Sequence, residues 1–261
     1  MNYLDIYKLL RKTNCGECGQ PTCMSFALSV FRGEKKTSEC PYLAQESADA
    51  VMRNLVKTDW KAALIASLKE EVSRTDLSRI AGSVGGEVRE GAMKLRCLGA
   101  EYTISPDGEI SGRSHINPWI QILLLHYVRT AGAAPLRGEW VSFADLRGGL
   151  VKSTSFTREC EEPLRQIIDR DMNVFQRAMQ FFGAQELQGE GADRSWVLFP
   201  LPKVPFRILY WKGDDEFGSA VKVLFDRTAD TYLDVESLVF LGEGLVEMLK
   251  RIDTIVPAFR K

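Results

Sequence analysis

Four of the six cysteines, Cys15, Cys18, Cys23 and Cys40, fall in the pattern C-x2-C-x4-C-x16-C within an N-terminal segment that contains no histidine. An iron-sulfur cube needs four thiolates converging from different directions, and three on one glycine-rich loop with a distant fourth can supply them. Gly16 and Gly19 let the backbone wrap closely, so that amide N–H groups can turn toward sulfur and stabilise its negative charge. A zinc knot is the competing reading, because tetrahedral zinc also draws on paired cysteines. Such a site usually takes two close pairs, and Cys23 and Cys40 do not form a second one. Residues 1 to 40 hold six cations and four anions, an excess of +2 that would offset an anionic cluster. The expected cofactor is a 4Fe-4S cluster with Cys15, Cys18, Cys23 and Cys40 as its ligands.

The elements that must position these thiols follow from the neighbouring pattern. Leu4, Tyr7 and Leu10 repeat at helical spacing, which predicts a short opening helix ending near Asn14. Thr22 is placed to cap a second helix through Met24, Ala27, Leu28 and Phe31, with Gly33 to stop it, so that Cys23 sits at a positive helix end. A polar stretch leads to Cys40-Pro41, and a third helix is expected from about Ala44 to Val56. The division expected is a cluster module at 1–46, a linker helix at 47–58 and a larger domain at 59–261. In that domain helices are expected at Trp60–Val72, Asp76–Val84, Pro118–Arg129, Val174–Phe182 and Asp234–Ile252, and strands at Met93–Leu98, Glu101–Ile104 and Arg207–Trp211. The fold class is α+β, a small mostly helical module followed by a larger domain with an antiparallel sheet.

Composition narrows the partners. A formal net charge of −1 over 261 residues gives no field that would gather nucleic acid or an anionic membrane, so neither is expected as a partner. Met1–Leu10 lack a signal-peptide pattern, and the longest apolar run, Ile120–Tyr127, is too short to span a bilayer. A cytoplasmic location is therefore expected, where thiols stay reduced and clustered cysteines favour metal over disulfide. Gly82-Ser-Val-Gly-Gly86 lacks both the Lys-Ser/Thr ending of a phosphate loop and dinucleotide spacing.

The run NCGECGQPTC from Asn14 to Cys23, with ECPYL from Glu39 to Leu43, resembles the 4Fe-4S domain at the start of corrinoid iron-sulfur protein large subunits and of Rnf-type B subunits. The resemblance covers about the first 45 residues and implies a low-potential one-electron carrier with the four cysteines as ligands. Three later stretches, His126–Gly149, Leu201–Trp211 and Gly213–Asp226, resemble a family of unknown function from anaerobes, described as metal-binding. The pairing suggests electrons passed to or from something the larger domain holds or docks, a redox protein or metalloenzyme, with a corrinoid as a possible second cofactor. An accessory factor that assembles or reductively activates a metalloenzyme is the alternative, and an enzyme with the cluster as internal wire a third.

A second site in the larger domain draws on few residues. Asp214, Asp215 and Glu216 place three carboxylates together and would suit a hard cation, although such a run more often caps a following helix. His126 shares a helical face with Trp119, Ile122 and Leu123, as an axial ligand or a satisfied core histidine. Trp140, Phe143 and Trp211 would line a flat-cofactor pocket or simply fill core. Cys97 and Cys160 have no partner motif and read as buried thiols.

Overall fold

The computed structural model describes residues 3–54, 60–131, 135–188 and 191–255. The chain divides into two compact units, Met1–Ala63 and Leu64–Lys261.

The N-terminal unit is built from α1 (Tyr3–Leu9), α2 (Cys23–Phe31), a 3-10 turn at Thr37–Glu39 and α3 (Gln45–Asn54). Its small core joins Ile6 and Leu10 to Phe26, Ala27, Val30 and Val51. Of the expected Leu4–Tyr7–Leu10 face, Leu10 is buried and Tyr7 packs partly buried against this core, whereas Leu4 is 42% exposed and Ile6 is buried in its place; the helix ends at Leu9, short of the end expected near Asn14. Both stripes satisfy helical spacing, and packing against Phe26 and Val30 selects one of them. Val51 is fully buried, so α3 contributes to this unit's core besides leading out of it. Residues 55–58, the end of the expected linker helix, lie outside the described residues.

The division between the units falls within α4 (Trp60–Ser73), after which come α5 (Leu77–Val84) and the four-stranded antiparallel meander β1 (Glu87–Arg89), β2 (Ala92–Cys97), β3 (Ala100–Ile104) and β4 (Ile110–Gly112). Then follow α6 (Pro118–Arg129), β5 (Trp140–Ser142), α7 (Gly149–Phe156), a π-helical turn at Thr157–Glu161, α8 (Glu162–Arg170) and α9 (Met172–Phe181). The chain closes with β6 (Gln185–Leu187), β7 (Arg194–Leu201), β8 (Val204–Trp211), β9 (Ala220–Asp226) and α10 (Val235–Ile255). The second sheet is antiparallel in the order β5-β9-β8-β7-β6. The fold is α+β with two antiparallel sheets.

Local chemistry sets the helix starts. The side chains of Asp76, Asn117 and Asp171 accept from the first-turn amides of α5, α6 and α9, and Pro118 opens α6 where its missing N–H costs nothing. Strand β8 is central in its sheet and buried from Val204 to Tyr210, which is why it reads as a near-continuous apolar run. Phe143 stacks on Phe156 at 4.4 Å, and Phe225 packs against both. The Leu98 N–H donates to the Pro200 carbonyl at 2.8 Å and ties the two sheets together.

Candidate metal centre

Cys15, Cys18, Cys23 and Cys40 line one cavity of the N-terminal unit. Three of them, Cys18, Cys23 and Cys40, also pack against its apolar core, whereas Cys15 is exposed. Among the described residues lining the cavity, none is a carboxylate or an imidazole, and Arg11 carries the charge. The cavity itself is small, about 10 Å³. A corrinoid macrocycle has no room there, since pockets for drug-sized molecules begin near roughly 300 Å³. Among the described residues no three His, Cys, Asp or Glu side chains stand close enough together to close on a single ion.

The loop that carries three of the thiols is held by its own backbone. Lys12 and Asn14 have positive φ of 59° and 52°, and Gly16 and Gly19 of 77° and 75°, so the chain winds through the left-handed region four times in eight residues. Glycine adopts this at no steric cost and asparagine tolerates it well; for Lys12 it is a strained conformation held by its surroundings. Asn14 Oδ1 accepts the Cys23 N–H at 2.8 Å, closing the loop from its first residue to its last. The Gly19 N–H donates to the Gly16 carbonyl at 2.8 Å. These two amides stiffen the loop instead of facing the thiols.

Beyond the loop, α2 starts as expected, with Thr22 as N-cap: its Oγ1 accepts the Ser25 N–H at 3.0 Å in a capping box. The fourth thiol arrives after the 3-10 turn, where Glu39 accepts from the Lys36 N–H at 2.8 Å and pairs with Lys35 at 2.6 Å. Two residues later, the Tyr42 hydroxyl donates to Glu17 Oε1 at 2.7 Å, and the Arg11 guanidinium lies 5.0 Å from the Tyr42 ring centre. The Glu17 carboxylate pushes the Tyr42 phenol pKa up and keeps it a donor. Sequence reading gave Asn14, Glu17 and Tyr42 no part in holding the site. The available signal was spacing, since Glu17 and Tyr42 each follow a cysteine by two positions.

The other candidates stand on different elements of the larger unit. His126 closes α6 with its side chain 14% exposed, and its Nδ1 lies 3.1 Å from Arg129 Nη2 and 3.7 Å from Asp234 Oδ2. Burial pushes the imidazole pKa down and the Asp234 charge opposes this, so the ring is neutral at pH 7 with Nδ1 accepting from Arg129. Asp214, Asp215 and Glu216 lie in the β8–β9 connection. Asp214 Oδ1 accepts the Glu216 and Phe217 N–H groups at 2.9 and 2.7 Å. The run is therefore a turn, and it leads into strand β9 instead of capping a helix as expected. Trp140 pairs with Asp226 at one end of β9 and Trp211 with Ala220 at the other, so the strand itself holds the two indoles apart. Phe143 is buried in the aromatic core. Cys97 and Cys160 are fully buried, which pushes both thiol pKa values up and keeps them neutral.

Residues 10–42, which include Cys15, Cys18, Cys23 and Cys40, match a family model described as "Putative Fe-S cluster". The same region is similar to the corrinoid/iron-sulfur protein large subunit of Moorella thermoacetica, 46% identical over 48 residues, covering 18% of this chain and 11% of that one. The acetyl-CoA decarbonylase/synthase complex subunit gamma 1 of Methanosarcina thermophila is 56% identical over 43 residues, covering 16% and 9%. The subunit gamma of Methanopyrus kandleri is 42% identical over 55 residues, covering 21% and 12%. The chain thus spans about a tenth of the length of these curated relatives. No solved structure matches it. Residues 76–248, most of the chain, match the model described as "Domain of unknown function (DUF3786)", and the chain accordingly belongs to that family, with an iron-sulfur-type domain ahead of the family's own.

Proposed function

We propose that Cys15, Cys18, Cys23 and Cys40 hold one 4Fe-4S cluster, and that the protein carries single electrons at low potential for a metal-cofactor protein, a corrinoid protein being the leading candidate. The observation that carries this reading is the donor set: four thiols line one small cavity with no carboxylate or imidazole among its described lining residues. Such a set favours soft, thiophilic metal centres over hard cations. When bound, the cluster supplies one-electron chemistry at its irons.

The chain's own residues do the holding. Cys18, Cys23 and Cys40 are steadied by contact with the apolar core, and Asn14 fixes the loop from its own position to Cys23, while closing the thiols onto one centre is left to metal binding. Cys15 stands at the surface, which gives a partner a short path to the site. The partner class is supported by the relatives, which are named as a corrinoid/iron-sulfur protein and as subunits of the acetyl-CoA decarbonylase/synthase complex. The larger unit has the area for a specific interface, about 800 Å² per partner, that so small a module lacks.

The test is anaerobic purification of the full chain, with iron and acid-labile sulfide counted and the visible spectrum followed on adding dithionite. We expect about four irons per chain, as a cube requires, a broad charge-transfer band that dithionite bleaches, and a reversible couple by voltammetry. Stoichiometric zinc with no visible band overturns the cluster, and a cluster with no reversible couple overturns electron transfer. Capture from an anaerobic extract then decides the partner: a redox enzyme or corrinoid protein supports the carrier, an apo-metalloenzyme an accessory factor.

A further inference from the structure

We infer that Arg11, Tyr42 and Glu17 form a clasp across the open side of the cysteine cavity, and that Tyr42 is a positioning residue that limits access of water and small oxidants to whatever the four thiols hold. The inference rests on the cluster reading above.

The geometry is specific. Of the four thiols, Cys15 is the exposed one, so the cavity is open on its side. Arg11 and Tyr42 both line the cavity, and both are exposed. The Tyr42 ring lies between two partners: the Arg11 guanidinium 5.0 Å from its centre and Glu17 Oε1 2.7 Å from its hydroxyl. Arg11 precedes Cys15 by four residues, Glu17 follows it by two, and Tyr42 follows Cys40 by two. The three side chains therefore join the segment bearing Cys15 and Cys18 to the segment bearing Cys40, 25 residues apart for the hydrogen-bonded pair.

Two physical consequences follow. The clasp ties the fourth thiol's segment to the first thiol's loop, which no backbone hydrogen bond among the described residues does; Asn14 closes the loop only onto Cys23. It also sets a ring and a guanidinium at the side where solvent would reach Cys15. A hydrogen bond to a carboxylate, with a cation over the same ring, holds that cover more firmly than either contact would alone.

The experiment compares the wild-type full chain with Tyr42→Phe, Glu17→Gln and the double variant, all loaded anaerobically, for iron content, midpoint potential and the rate of bleaching by dissolved oxygen. Tyr42→Phe keeps the ring and removes the hydroxyl, and Glu17→Gln removes the charged acceptor, so each breaks the bond from one end. Both should load iron as wild type does and bleach about fivefold faster, the scale expected for losing one charge-assisted but solvent-exposed hydrogen bond. The double variant should bleach no faster than the faster single, because both changes remove the same contact. The potential should rise in both singles, and more in Glu17→Gln, which also removes an anion near the site. Additive bleaching rates, or rates within twofold of wild type in both singles, overturn the clasp and leave the cluster reading intact. Failure of both variants to load iron overturns it too, since a contact needed to assemble the site is not one that only covers it. Absence of iron from the wild type overturns the cluster reading, and the clasp with it.

Discussion

The cysteines of the two units contrast sharply. Cys97 and Cys160 are closed in by apolar neighbours, so a thiolate at either would lose its hydration and gain nothing. Cys160 is packed so closely that a Cβ on Gly242 would meet its sulfur at 2.9 Å. The loop cysteines instead face a common cavity, with polar loop on one side and a small core on the other. Thiol chemistry is thus confined to the unit with the thinner core. The larger unit invests its aromatic residues in packing, where Phe143, Phe156, Phe206 and Phe225 form one cluster. A small unit with six fully apolar core residues is the kind of fold that gains most from metal binding, because binding free energy then contributes directly to folding.

The largest effect expected is on iron. Serine at Cys18, Cys23 or Cys40 should abolish stable loading, and serine at Cys15 should do the same, whereas Cys97→Ser and Cys160→Ser should leave the iron count unchanged. A large loss from either buried position would break the contrast and show that a larger-unit thiol reaches the centre.

Next in size is a change confined to the other unit. Phe225→Ala removes a ring that packs on three other phenylalanines, and should cost about 3–5 kcal/mol. Denaturant unfolding, followed in a Trp60→Phe background by the fluorescence of Trp119, Trp140, Trp196 and Trp211, should register that loss while the visible absorbance of the loaded cluster keeps its own midpoint. A common shift in both signals would mean that the units unfold together.

A third test is pH. Burial alone would push the Asp226 carboxyl up, but bonds from the Thr228 hydroxyl and the Thr228, Gly138 and Arg137 N–H groups outweigh it and hold the pKa below the ordinary value. A carboxyl depressed in the folded state contributes stability that is present above its unfolded pKa, near about 4, and is lost as pH falls through the folded value. The larger unit's midpoint should therefore drop below about pH 4, and Asp226→Asn should flatten that part of the profile. Asp226→Ala should cost about 1–3 kcal/mol at pH 7 by leaving buried amides unpartnered. An unchanged acid limb in Asp226→Asn would assign the loss to other carboxylates.

The smallest effect belongs to the module's helix start. Thr22→Ala removes the side-chain cap of α2 and should lower stability by about 1 kcal/mol. The midpoint of cluster absorbance should move slightly while the tryptophan signal stays in place.

Some of this protein is written in short runs of sequence. The four-cysteine spacing, the Thr22 cap, the Asn117-Pro118 start of α6 and the buried run of β8 depend on residues within a few positions of one another, so local chemistry alone makes them legible. The loop's positive-φ glycines belong to the same class. Tertiary structure decided the rest. Helical spacing allowed two stripes on α1, and contact with Phe26 and Val30 chose Ile6 and Leu10. The carboxylates of Asp214 to Glu216 pointed to a helix cap, but pairing of β9 between β5 and β8 drew the following residues into a strand. The short strands β1, β4, β5 and β6 were not foreseen, because three residues carry almost no periodicity and are defined by the neighbours they pair with. Trp140 and Trp211 were grouped by residue type and parted by register. The Tyr42–Glu17 bond spans 25 residues, so beyond each residue's place two positions after a cysteine nothing in the sequence pairs them. Interactions between neighbours in sequence leave a pattern in composition and spacing, whereas those between distant segments exist only once the chain has closed on itself.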